Sequence, residues 1–305
     1  MAPLFPISTS SQPFLFFFLF FSGVHSATFT MTNNCAYTVW PGVLANAGTA
    51  PLSTTGFELK QGETVALAAP SGWSGRFWSR TLCSTDSTGK FSCVTGDCGS
   101  GRLECSGAGA KPPATLAEFT LGNGALDFYD VSLVDGFNAP MMVTPQRGTG
   151  NCAATGCLAD LNGACPSALR VTEATSGEGV ACKSACEAFG DPRYCCSGSY
   201  GTADTCGPTP YSRFFKNACP RAYSYAYDDP TSTFTCSGAD YLITFCPSVP
   251  SQKSSSNQFP SINNTMIFSG MSDPATVSSD GFRQGTIDLL WLVAATIFLM
   301  LTWTC

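Results

Sequence analysis

Histidine is all but missing from this chain, with His25 the only one in 305 residues. Its position removes even that one. The apolar run Phe14 to Phe21 is too short to cross a bilayer but has the length of a signal-peptide core, and Val24-His25-Ser26 supplies residues compatible with cleavage. Residues 1–26 therefore read as a secretory leader, with the mature chain starting at Ala27, although no Lys or Arg precedes the apolar run. A mature chain without histidine has no Ser-His-Asp triad, no Cys-His dyad and no histidine-ligated zinc. Paired C-x2-C knuckles are also absent, so neither a metal nor a cofactor is expected. Charged residues make up only 12% of the chain, and the net charge of −6 disfavours a nucleic-acid partner. Carboxylates are left as the acid–base groups.

Cysteine, glycine and proline are plentiful instead. Sixteen of the 17 cysteines lie between Cys35 and Cys246, an even number suited to eight disulfides in an oxidising compartment. Adjacent Cys195 and Cys196 must find different partners. Gly89 to Cys105, GKFSCVTGDCGSGRLEC, packs three cysteines and four glycines into seventeen residues and reads as a cross-linked loop. Around it the chain has strand character. Thr28 to Thr32 alternates polar and apolar, Tyr37 to Trp40 reads as a strand stopped by Pro41, and Glu63–Leu67 and Arg76–Arg80 follow. Short strands at this spacing indicate a β-sandwich or barrel. Its sequence spans 27–80, 112–154 and 220–247, interrupted by the loop region 81–111 and by a helix-and-loop region 155–219 whose one helical stretch is Val180 to Phe189, ended by Gly190 and Pro192.

The Gly/Cys segment resembles the signature of thaumatin-like proteins, G-x-[GF]-x-C-x-T-[GA]-D-C followed by Gly and Cys. The resemblance extends through ATFTMTNNCAYTVWPG from Ala27, PPATLAEF from Pro112, DFYDVSLVDGFNAPM from Asp127, the cysteine-rich stretch from Tyr194 and DDPTSTFTC from Asp228. It covers about 220 residues, Ala27 to Cys246, and implies a mainly β fold: an antiparallel β-sandwich core with a disulfide-rich helix/loop domain and a small disulfide-pinned loop domain. It also implies the pairs Cys35–Cys246, Cys83–Cys93, Cys98–Cys105, Cys152–Cys236, Cys157–Cys219, Cys165–Cys182, Cys186–Cys195 and Cys196–Cys206.

Defence-type members of that family line an acidic cleft with one Arg, one Glu and three Asp, and the matching positions here are Arg76, Glu118, Asp130, Asp135 and Asp228. On a regular strand Asp130 and Asp135 would face opposite sides, so their convergence needs an intervening turn. The resemblance implies a monomeric, antifungal, cell-surface protein that binds β-1,3-glucan or another cell-wall polysaccharide. A weak endo-β-1,3-glucanase, using Glu118 with Asp135 or Asp130, is the alternative, since glycoside hydrolysis needs two carboxyls and no metal. An inert adhesion or signalling module is a third reading. Tyr223, Tyr225 and Tyr227 alternate as on one strand face, and Phe128 and Tyr129 adjoin the acids; for all of them core packing is the simpler role.

Beyond Cys246, residues 248–280 form a Ser/Pro-rich linker with a glycosylation sequon at Asn263, and residues 281–305 an attachment propeptide. Leu289 to Cys305 carries no charge and no basic flank follows it; with small residues at Ser278 and Ser279 this is the pattern of a glycolipid (GPI) attachment signal rather than a retained span. The expected location is the outer face of a plasma membrane, or the apoplast and cell wall. Phosphatidylinositol-specific phospholipase C should therefore release the protein from membranes, whereas retention after complete digestion would indicate a spanning helix.

Overall fold

The computed structural model describes residues 27–248. The leader, the stretch holding Asn263, the attachment positions Ser278 and Ser279, and the apolar tail lie outside the described residues.

In chain order the strands are β1 (Ala27–Asn33), β2 (Gly42–Ala45), β3 (Thr64–Ala69), β4 (Ser74–Trp78), β5 (Thr81–Thr85), β6 (Phe91–Thr95), β7 (Leu116–Thr120), β8 (Asp127–Ser132), β9 (Met141–Gln146), β10 (Thr155–Cys157), β11 (Arg170–Thr172), β12 (Gly179–Cys182), β13 (Phe234–Cys236) and β14 (Asp240–Phe245). Two five-stranded sheets, ordered β10-β9-β14-β1-β3 and β13-β8-β7-β4-β2, make the sandwich, and β5-β6 and β11-β12 are separate hairpins. The sheets are antiparallel except where the first strand lies parallel to the last, Phe29 beside Tyr241 and Asn33 beside Phe245. Tyr37–Trp40 contributes only a bridge at Val39, and the strand forms after Pro41 instead of before it. There Gly42 to Ala45 pairs with β4, and the indole of Trp78 occupies the space a side chain at Gly42 would need.

Between the sheets the core is aromatic. Phe29 is fully buried and meets Trp73, Phe77, Phe119 and Tyr241 at centroid separations of 4.7–5.8 Å. Burying each such ring is worth about 1.5–3 kcal/mol. A smaller cluster, Trp78, Leu116, Ala114, Cys98 and Cys105, packs the loop region against the second sheet. Fully buried Arg80 pins that region: Nε donates to the Trp40 carbonyl and Nη2 to the carbonyls of Leu103 and Pro41, while the guanidinium lies 5.4 Å from the Phe91 centroid.

The helix-and-loop region differs from the sequence expectation. Its helices are α1 (Ala185–Phe189), α2 (Pro192–Cys195) and α3 (Pro210–Ala218), with α4 (Asp229–Ser232) in the return to the sandwich. Residues 179–182 are strand because they pair antiparallel with Arg170–Thr172, and Cys182 in addition exchanges both backbone hydrogen bonds with Phe137, arrangements a helix could not make. Ser184 then caps α1, and Gly190, at φ 63°, ends it. The longest helix, α3, carried a legible start signal: Thr209 and Ser212 form a capping box with Pro210 in the first turn.

Eight disulfides join Cys35 to Cys246, Cys83 to Cys93, Cys98 to Cys105, Cys152 to Cys236, Cys157 to Cys219, Cys165 to Cys182, Cys186 to Cys195 and Cys196 to Cys206. Cys35–Cys246 closes the widest loop, 211 residues in sequence, beside the parallel strand pair. Replacing both cysteines by Ala should cost about 5 kcal/mol on chain-entropy grounds, against about 3 kcal/mol for the ten-residue Cys83–Cys93 loop. Urea unfolding of the two variants should rank them in that order.

Candidate functional site

Strand register brings the acidic residues together. Arg76 on β4 lies opposite Glu118 on β7, and Glu118 lies opposite Asp130 on β8. Directly paired residues share a face, so the three charged side chains form one row across the outer side of the second sheet. Phe77, Phe119, Tyr129 and Val131, one position away along their strands, are buried on the core side. Arg76 Nε stands 3.6 Å from Glu118 Oε1, each side chain about one-third exposed at 34%.

Asp135 joins the row through a turn. β8 ends at Ser132, and the Gly136 N–H donates to the Leu133 carbonyl, breaking the alternation that would have aimed Asp135 away. Gly136 is required there: its φ is 87°, and a Cβ would lie 2.6 Å from the Cys182 carbonyl oxygen and 2.7 Å from Pro113 Cβ. The acidic row thus ends at the seam where Phe137 pairs with Cys182 and the helix-and-loop region meets the sandwich.

Burial dominates the electrostatics. It raises the Glu118 carboxyl, opposed by Arg76 and reinforced by Asp135. Burial likewise raises Asp135, again opposed by Arg76. Asp130 is pushed up to about 8, by burial first and then by the charge of Glu118, with Arg76 opposing and Asp229 adding to the rise. Burial is the larger cause, and one guanidinium among three carboxyls does not offset it, so of the row Asp130 is shifted most strongly toward its protonated form. Both Asp130 Oδ2 and Arg76 Nε are buried without a hydrogen-bond partner.

Asp228 has a different environment. Its Oδ2 accepts from Lys216 Nζ at 2.9 Å, from the Ser224 N–H at 2.9 Å and from Ser224 Oγ at 2.9 Å, and its Oδ1 accepts from Thr231 Oγ1 at 3.2 Å. Those donors occupy the carboxylate and tie α3 to α4. Exposed Asp229, its neighbour, accepts from the Tyr223 hydroxyl and bears on Asp130 electrostatically. In the sequence only the distance from Cys219 selects Asp228 over the adjoining Asp229.

The aromatic positions also resolve. Residues 223–227 form a bridge and a turn rather than a strand, because the Tyr223 backbone pairs with Val131 and Leu133 before α4 begins. Tyr223 hydroxyl bonds Asp229 and Thr233, and Tyr227 hydroxyl donates to the Gly201 carbonyl. Tyr129 is core, while Phe128 is 48% exposed beside the row.

A two-sheet, disulfide-braced domain with a desolvated Arg–Glu–Asp row on one outer face defines a class of protein, and comparison with known chains identifies it. The Thaumatin family matches residues 33–247, and this chain belongs to it. "Thaumatin-like protein 1" of Arabidopsis thaliana is 58% identical over 246 residues, 76% of this chain and 93% of that one. "Pathogenesis-related thaumatin-like protein 3.5" of Cryptomeria japonica is 57% identical over 223 residues, covering 73% and 91%. "Glucan endo-1,3-beta-glucosidase" of Prunus avium is 57% identical over 231 residues, covering 75% and 94%.

Opposite stability effects should separate Asp130 from Asp228. A carboxyl raised in the folded state is charged only in the unfolded chain between the ordinary carboxylate range and about pH 8. Over that window the native state binds more protons, so Asp130's contribution to stability falls as pH rises. Asp130→Asn should therefore raise the urea midpoint at pH 8 relative to wild type and leave it nearly unchanged at pH 4. Asp228→Asn, which leaves Lys216 without its partner, should lower stability at neutral pH by about 3 kcal/mol.

Proposed function

We propose that this protein binds β-1,3-glucan through the outer-face row of Arg76, Glu118 and Asp130, with Asp135 at its end. The observation that carries the reading is the strand register that sets Arg76, Glu118 and Asp130 side by side as a half-buried polar row on an outer face. A row of adjacent charged and polar groups that the protein only partly covers leaves hydrogen-bonding capacity for a ligand, and bonds to charged groups are the stronger ones. Sugar hydroxyls can both donate and accept, which matches a row containing a cation, a carboxylate and a protonated carboxyl. The leader and tail of the sequence support secretion and a lipid anchor, and membership in a family with a pathogenesis-related relative supports an antifungal role at the cell surface. Asp228 is a bracing residue in this reading, and Asp229 takes its place at the edge of the row.

A weak endo-β-1,3-glucanase activity is favoured by one further observation, the split protonation of neighbouring carboxyls. Asp130 near 8 is suited to protonate a glycosidic oxygen as the bond to the anomeric carbon breaks. Glu118, held by Arg76, would attack that carbon, and water would then release the sugar with Asp130 as base. Cross-strand neighbours have Cβ atoms about 4.5–5.5 Å apart, compatible with the carboxyl spacing of about 5–5.5 Å in retaining glycosidases. The Prunus avium relative's name is consistent with this chemistry.

Laminarin pull-down and reducing-sugar release, measured on wild type, Glu118→Gln, Asp130→Asn and Asp135→Asn, test both readings. Pure binding at neutral pH predicts weakening of about fivefold in Glu118→Gln and Asp135→Asn, the difference between a charged and a neutral hydrogen bond of about 1 kcal/mol, and a smaller change in Asp130→Asn, where one neutral group replaces another. Catalysis predicts that Glu118→Gln and Asp130→Asn lose about a hundredfold or more of hydrolysis with binding nearly intact, and that wild-type hydrolysis falls above about pH 8. Unchanged binding and hydrolysis in all three variants would remove the row from both functions.

A further inference from the structure

A cavity of about 390 Å³ opens in the loop region, away from the acidic row. One wall is strand β6, tied to β5 by Cys83–Cys93; the other is the loop following Thr95, which Cys98–Cys105 closes, together with Lys111 and Pro112. Lys90, Phe91, Ser92, Val94 and Lys111 line it. Glycines shape the lysine positions. A Cβ at Gly99 would lie 3.0 Å from Lys111 Nζ, and one at Gly101 would lie 3.6 Å from Lys90 Cγ, so both lysine side chains run over backbone that carries no side chain. Both glycines have φ near 70°, where other residues are strained.

The charge balance inside this cavity opposes that of the chain. Asp97 is the one carboxylate in the lining, and it turns to the backbone: Oδ2 accepts from the Cys93 N–H at 2.8 Å and Oδ1 from the Gly99 N–H at 2.6 Å. Neither Lys90 nor Lys111 makes an ion pair among the described residues. Two lysines outside any ion pair therefore line a cavity within a chain of net charge −6, with the Asp86 carboxylate, held by the backbone N–H groups of Thr88 and Lys90, adding its charge on the Lys90 side. Beside them stand the Val94 side chain at 50% exposure and the Ser92 hydroxyl, on one face of β6, while the Phe91 ring on the other face packs against Arg80 and Trp40.

We propose that this cavity binds an acidic sugar, a uronic-acid residue of an anionic polysaccharide. Carboxylate on the sugar would pair with Lys90 and Lys111. Val94 offers an apolar surface to the C–H face of a pyranose ring, and Ser92, on the same face of β6, offers a hydroxyl partner. An inorganic ion would use the ammoniums but gain nothing from Val94, and the volume lies in the range of about 300–1,000 Å³ usual for organic ligands. The cavity shares no residue with the Arg76–Glu118–Asp130 row, so one surface would grip neutral glucan and the other anionic glycan.

The probe is trigalacturonate, titrated calorimetrically into the disulfide-intact protein, with galactotriose and sodium sulfate as companions. Saturable binding of trigalacturonate is expected, weakened at least tenfold in Lys90→Gln/Lys111→Gln and retained in Lys90→Arg/Lys111→Arg, which shows that charge and not folding is responsible. Affinity should fall as salt is raised, because exposed charges are screened over about 10 Å at 0.1 M. Glu118→Gln should leave it unchanged, which separates this site from the glucan reading. The proposal is overturned if trigalacturonate fails to saturate, if the double Gln variant binds as wild type, or if galactotriose binds as tightly. Sulfate binding as tightly as the trisaccharide would also overturn it, by showing a bare anion site.

Discussion

The first strand of the domain lies against the last, parallel to it and in the middle of a sheet, and both must be in place before either outer neighbour has a complete partner. β3 completes one side of the pair and β9 the other. Cys35–Cys246 closes the chain just past this contact, and the Thr28 N–H donates to Asp240 at its opposite end. Phe29 and Tyr241, side by side in the ladder, then present stacked rings 5.8 Å apart to the second sheet. Phe77, Phe119 and Tyr129 pack onto them. Because those residues alternate with Arg76, Glu118 and Asp130, seating the core fixes which residues point outward.

The polar row is consequently a by-product of register that has been kept half-buried. Loop closure and the helix-and-loop region crowd it at one end, through the Asp-Gly turn and the Phe137–Cys182 pairing. Desolvation then outweighs the attraction of a single guanidinium, and the carboxyls shift upward in spite of Arg76. Carboxyls in such a state are poor at stabilising the fold and well disposed to meet sugar hydroxyls. Asp228 shows the contrasting case. Four donors surround it, and its role is to hold α3 and α4 together.

Much of this was legible in residue order, and the limits have physical causes. Alternation in β1, β3 and β4 survives because each has one buried face, and the cysteine-glycine loop is visible through its composition. Tyr37–Trp40 misled because strand propensity precedes Pro41 while pairing with β4 begins after it. The helix at 180–189 began late because residues 179–182 pair with β11, and Cys182 also answers to Phe137, 45 positions away, a bond that no local signal carries. α3 was readable from its Thr-Pro-x-Ser cap. The convergence of positions 76, 118 and 130 depends on the pairing of three strands, and the swing of Asp135 on where β8 stops; neither follows from spacing along the chain. Arg80, apparently one more surface charge at a strand end, is instead a buried pin, since five carbonyl, sulfur and aromatic groups from distant segments surround it.

The central claim is that the row of Arg76, Glu118 and Asp130 holds a proton at neutral pH. Carbon-detected NMR titration of the side-chain carboxyls, with Asp130 assigned by Asp130→Asn, measures this directly. The account predicts an Asp130 midpoint of about 8 that moves down in Glu118→Gln, where the neighbouring charge is removed. A midpoint in the ordinary aspartate range near 4, unaffected by Glu118→Gln, would contradict it.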